Sequence, residues 1–215
     1  MNDPAGAPIG APCRVRRVRW WRIGLAVVLL FIICVSLFFC VGSPGYYSSK
    51  LGPAGKPMPR RVPLPIVAVK QTEPHTCGFC SMAAIYRAYG LDVEALRLRF
   101  RLGTDMPVSN FLPDTQGTVH PDMLRVLAQD GFTASVVVPS SDTALMRLYD
   151  YLDAGHCALV LTKVNEFHWV VASGRFGHAI TIHDSLHPQP YEKDGPSYLQ
   201  NEVYSLVLLR PKADH

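Results

Sequence analysis

Hydrophobic positions fall into two regimes along the chain. From Ile23 to Gly42 they run without interruption, as IGLAVVLLFIICVSLFFCVG, and no charged residue occurs between Ile23 and Ser49. Twenty such residues at a helical rise of about 1.5 Å reach about 30 Å, the thickness of a bilayer's hydrocarbon, so a transmembrane helix is expected over 23–42. Trp20 and Trp21 flank one end and Tyr46 and Tyr47 the other, where amphipathic rings favour the interface. A cleaved signal peptide has a shorter apolar core and a small-residue cleavage site; here Pro44 follows the loose Val41-Gly42-Ser43 match. Lipidation of Cys40 is disfavoured by Phe38 and Phe39 just before it. The expectation is an uncleaved anchor.

Beyond residue 65 the pattern becomes periodic. A short strand is expected at 66–70. A helix is expected at 77–89, where Met82, Ile85, Tyr86 and Tyr89 recur at spacings of three and four and Gly90 ends the run. Asp92 is placed as the cap of a second helix reaching Leu102, and 103–119 reads as a loop. Pro121 opens a third helix that Gly131 stops. A strand at 132–138 and a helix at 142–153 follow, then four strands at 157–163, 167–173, 178–184 and 203–209. Helices first and strands afterwards predict an α+β fold with an antiparallel sheet, not alternating βαβ units.

These patterns divide the chain into a basic tail (1–22), the apolar segment (23–42), a Pro/Gly-rich linker (43–65) and one domain (66–210). The 215 residues suit one ordinary domain with some chain left over. A hydrophobic content of 48% with 18% charged residues excludes a disordered chain. The net charge of +4 belongs to the tail, where Arg14, Arg16, Arg17, Arg19 and Arg22 face only Asp3. The domain lacks the basic excess of a nucleic-acid binder, so no nucleic-acid partner is expected. The same basic tail should stay in the cytoplasm, which places the domain on the non-cytoplasmic side of the membrane.

Of six cysteines, Cys13, Cys34 and Cys40 lie in or before the apolar segment. Cys157 falls in an apolar strand and reads as a small core residue. Cys77 and Cys80 form Thr-Cys-Gly-Phe-Cys at a helix start, where the helix dipole favours a thiolate. Two chemistries fit this string: a thiol–disulfide pair, or a lone nucleophile with a neighbouring thiol. No metal is expected, because a C-x-x-C site completed by His183 and His187 would lie far outside compact zinc spacing. A cysteine hydrolase further needs a base, a group that orients it, and oxyanion donors. His168, at the start of Phe-His-Trp-Val-Val, and Asp184, at the end of the next strand, could meet across adjacent antiparallel strands. Gln71 can offer a side-chain amide. His75, His120, His156, His178 and His187 read as surface or turn residues, and His183 should point away from the face of Asp184.

The segment QTEPHTCGFCSMAAIYRAYG, followed by LDVEALRLRFRLGT, resembles papain-like cysteine peptidases that process bacteriocin precursors behind a double-glycine leader. So does LYDYLDAGHCALVLTKVNEFHWVVASG followed by IHDSLHP. The likeness spans nearly the whole domain. It implies Cys77 as nucleophile, His168 as base and acid, Asp184 as orienting group, and Gln71 in the oxyanion hole with the Cys77 backbone N–H. It implies a peptide or protein substrate and no cofactor. Cys157 stands where a Pro often follows the Gly, and Cys80 is not a required position. In the bacteriocin exporters the peptidase precedes a transporter on the cytoplasmic side, whereas here an apolar segment precedes the domain, so any export or transporter partner is left open. The expected function is a membrane-anchored cysteine peptidase. The alternatives are an inactive peptide-binding module of the same fold and an oxidoreductase using Cys77 and Cys80.

Overall fold

The computed structural model describes residues 20–40, 58–61, 63, 65–109, 112–140, 143–164 and 166–212. The basic tail to residue 19 and most of the linker lie outside them. The chain divides into two units, residues 1–40 and 41–215. In the first, α1 spans Trp20–Cys40, and its side chains are described from 21 to 35, nearly all of them exposed. Among the described residues, no helix is long and apolar enough to cross a membrane. The structure therefore does not establish the transmembrane helix expected over 23–42. Its last two positions, 41 and 42, lie outside the described residues, as do the side chains of 36–40.

The second unit is α+β. Its elements are α2 (Cys77–Ala88), α3 (Leu98–Arg101), β1 (Pro107–Ser109), β2 (Leu112–Gln116), α4 (His120–Gln129), β3 (Phe132–Val137), α5 (Ala144–Asp153), β4 (Ala158–Thr162), β5 (His168–Phe176), β6 (Ala179–His183), β7 (Tyr191–Asp194), α6 (Gly195–Asn201) and β8 (Val203–Pro211). Six strands form one sheet in the order β3-β8-β4-β5-β6-β7. Every pairing in it is antiparallel.

Both faces of this sheet are buried, which explains why its central strands are almost continuously apolar. Leu159, Leu161, Trp169, Val171, Val207 and Leu209 pack with Met82, Ile85 and Tyr86 of α2 and Met123 and Val126 of α4. The alternate positions Val160, Val170, Ala172, Leu206 and Leu208 pack with Leu148 and Leu152 of α5 and Tyr198 and Leu199 of α6. Period-two alternation thus splits each strand between two helical layers.

Four expectations are corrected. Residues 66–70 form no strand, although Ile66 is buried against the α2 layer; Gln71 N–H donates to the Ser185 carbonyl at 3.0 Å instead. The second helix shrinks to α3, because Arg97 adopts a left-handed φ of 49° just before it. Asp92 caps only the preceding turn, accepting from the Glu94 and Ala95 amides at 3.0 and 3.2 Å. The loop expected over 103–119 contains the β1–β2 hairpin. Finally, β7 and α6 lie in a stretch where Pro188, Pro190, Gly195 and Pro196 masked any period.

Candidate active site

Cys77 is the first residue of α2. The local sequence makes this start compact. Cys80 N–H donates to the Thr76 carbonyl at 2.9 Å, and Thr76 Oγ1 donates to the Glu73 carbonyl at 2.9 Å. At the first helical position the Cys77 amide has no acceptor within the helix. Gly78 allows the helix start to press on its neighbours. A Cβ there would lie 2.6 Å from Thr118 Cβ and 3.1 Å from Trp169 Cδ1. Trp169 is itself held by Nε1–H donating to the Thr118 carbonyl at 3.0 Å. Ser81 Oγ donates to the Trp169 carbonyl at 2.9 Å, so α2 is pinned to the strand that carries His168.

The sheet register brings the histidine and the acid together. Val171 of β5 pairs with His183 of β6, so the next position sets Asp184 beside Val170, two residues from His168 and on its face. His168 Nε2–H donates to Asp184 Oδ1 at 2.7 Å. The Cys77 thiol lies near enough to bear on the charge of the same ring. Burial alone would lower the His168 pKa; the bond to Asp184 and the nearby Cys77 thiol outweigh it and push it up to about 9. Burial likewise works against charge on Asp184. His168, the Leu186 N–H at 2.9 Å and His187 hold it nonetheless at about 2. The acid is therefore ionised, and the imidazole protonated, through the neutral range.

Gln71 reaches the same wall, but its amide is engaged. Nε2 donates to the carbonyls of Glu73 at 2.9 Å and Pro74 at 2.8 Å, and Oε1 accepts from Ser185 Oγ at 2.8 Å. Its two N–H groups are thus occupied in this conformation. Cys80 is buried, and burial raises its pKa, which disfavours its thiolate.

Two neighbours of Asp184 escaped the sequence reading. His187 Nδ1 donates to Oδ2 at 3.0 Å, and the Tyr191 hydroxyl approaches the same oxygen at 3.4 Å. The spacing Asp184-x-x-His187 was the available signal. His120, read as a surface residue, is half-buried against Trp169 with ring centroids 4.8 Å apart and bonds Ser205 Oγ at 2.6 Å. As expected, His183 is turned away; it bonds Ser173 at 2.7 Å.

Among the described residues, Glu73, His75 and Asp105 are the group whose ligand atoms approach closely enough to hold a metal ion. The Arg99 guanidinium already bridges Glu73 and Asp105 at 2.7 and 2.6 Å. The arrangement is an ion-pair cluster that ties the loop before Cys77 to the segment after α3. Beside the His168–Asp184 pair opens a cavity of about 700 Å³, within the range of ligand pockets.

The domain superimposes on the peptidase domain of Streptococcus ComA, a bifunctional ABC transporter of a quorum-sensing pathway, with a TM-score of 0.52 and 20% identity. The alignment covers 69% of this chain and 100% of that domain. The two domains share a fold. A double glycine motif protease from an AMS/PCAT transporter, solved with its leader peptide, aligns with a TM-score of 0.48 and 17% identity, covering 74% of this chain and 100% of that one. The Streptococcus mutans ComA peptidase domain gives 0.45 and 18%, over 67% of this chain and 98% of that one. No family model matches the sequence, and no curated protein does.

Proposed function

We propose that this protein is a cysteine peptidase that hydrolyses peptide bonds through Cys77, His168 and Asp184. The observation that carries the reading is the His168 ring, bonded through Nε2 to the buried Asp184 carboxylate at 2.7 Å and close enough to the thiol at the start of α2 to be affected by it. The Cys77 thiolate attacks the peptide carbonyl carbon. The imidazolium then protonates the leaving amine, and water, giving its proton to the resulting imidazole, attacks the acyl group, releases it as the acid and restores the thiolate and imidazolium. The Cys77 backbone N–H is one oxyanion donor; Gln71 supplies a second once its amide turns from the Glu73 and Pro74 carbonyls. Asp184 positions the ring. The likeness of fold to the ComA peptidase domain supports a peptide substrate.

Titration of the full chain with a thiol-directed peptide warhead tests this. Cys77 alone should be labelled, and His168→Ala should slow labelling by about two orders of magnitude. Cys80→Ser should leave peptide cleavage nearly intact. Loss of turnover in Cys80→Ser would instead favour the thiol–disulfide reading, and labelling without any cleavage the inactive binding module.

The raised His168 pKa sets the alkaline limit. The imidazolium is present below about 9 and lost above it, so kcat/KM should fall with a midpoint near pH 9. Asp184→Asn removes a cause of that shift and should move the limb to lower pH. An unmoved limb would deny Asp184 its role.

We propose further that α1 anchors the protein in a membrane through 23–42, with the domain on the non-cytoplasmic side. The support is the 21-residue helical backbone of α1 and the run without charge that begins at Ile23 within it. Protease added to intact spheroplasts should then degrade the domain; full protection would place it in the cytoplasm.

A further inference from the structure

Resting on the peptidase reading and deepening it, we propose that the cavity beside His168 is a specificity subsite for a lysine or arginine on the amine side of the cleaved bond. His168 walls this cavity and Cys77 does not. The imidazolium delivers its proton to the leaving amine, so the residues that follow the scissile bond lie on its side of the site.

The charge of the cavity wall selects a cation. Glu73, Glu166, Asp184 and Glu202 line it, and neither lysine nor arginine does. Arg99 answers Glu73 at 2.7 Å, His168 answers Asp184 at 2.7 Å and Lys193 answers Glu202 at 2.9 Å. Among the described residues, the Glu166 carboxylate has no hydrogen-bond or ion-pair partner. It remains as the uncompensated charge of the wall.

A second, independent feature points the same way. Tyr198 lines the cavity and is only 2% exposed, yet its hydroxyl has no hydrogen-bond partner among the described residues. A buried hydroxyl is costly when unpaired, and its oxygen is an acceptor for an ammonium or guanidinium N–H. At the rim, Val164, Phe167 and Leu186 are 49%, 63% and 61% exposed. They offer apolar cover for the methylene stem of a long basic side chain.

The test is cleavage by the full chain of a quenched-peptide library in which each position in turn is lysine, arginine, norleucine or glutamate. One amine-side position should favour lysine or arginine over norleucine by about fivefold or more in kcat/KM, the scale of a solvent-exposed ion pair. Glu166→Gln should bring that ratio towards one, and Glu166→Lys should turn it towards glutamate. Tyr198→Phe should lower the ratio for arginine. If Tyr198→Phe fails to fold, the Glu166 variants, at an exposed position, still decide. A library cleaved without basic preference, or a preference unmoved by the Glu166 variants, overturns the subsite. Cys77 labelling by the warhead, run alongside, separates this from failure of the peptidase reading, in which neither labelling nor cleavage occurs.

Discussion

Replacing Cys77 with alanine is expected to abolish peptide cleavage, with kcat falling by about four orders of magnitude or more. The size follows from the way the site is coupled. The thiol supplies the attacking atom, and no neighbouring side chain replaces it, since Cys80 is buried and its pKa is raised by that burial. The His168→Ala loss should be comparable, and the double variant should lose little more than either single one, because the two act as a unit. Single-turnover assays with a quenched peptide, at equal folded fractions of each variant, measure this. Additive losses would mean that thiol and imidazole work independently, and residual cleavage within tenfold of the parent would remove Cys77 from the chemistry.

Asp130→Ala should unfold the domain or bring it close to unfolding. Asp130 is fully buried and receives two bonds from Arg101, at 2.9 and 2.8 Å. The Tyr86 hydroxyl adds a third at 2.6 Å. Arg101, only 3% exposed, would be left as a buried cation without its counter-ion. Breaking such a pair from one side costs about 3–5 kcal/mol, a large share of the roughly 5–15 kcal/mol that holds a domain. Tyr86 lies on α2, so the loss would also loosen the helix that presents Cys77. Urea unfolding gives the number. Replacing both partners, as Arg101→Met with Asp130→Leu, should cost less than Asp130→Ala alone, since no charge is stranded. A loss below about 1 kcal/mol for Asp130→Ala would place the pair among those that contribute little.

The degree to which this domain could be read beforehand varied with the physics of each segment. Cys77 was legible because a helical period, a stop at Gly90 and a C-x-x-C string coincide at one helix start. His168 and Asp184 were legible as a pair because one opens a strand and the other closes the next, and antiparallel neighbours bring such positions together. Helix α3 was misread since Arg97 takes a left-handed conformation that no local signal announces. β7 and α6 were missed because proline and glycine interrupt any period there, and both elements are held by tertiary partners: β6 for the strand, and the layer beneath the sheet for Tyr198 and Leu199.

By itself the sequence determined the α+β class, the helix that starts at Cys77 and the strands that carry His168 and Asp184. Those properties depend on local periodicity and capping, which neighbouring residues settle among themselves. Only the tertiary structure decided that Gln71 spends its amide on the Glu73 and Pro74 carbonyls, that His187 shares Asp184, and that Glu166 and Tyr198 line one cavity. Each of these depends on strand register and on which buried polar groups find partners, and such pairings form between segments too far apart in the chain for any local pattern to encode.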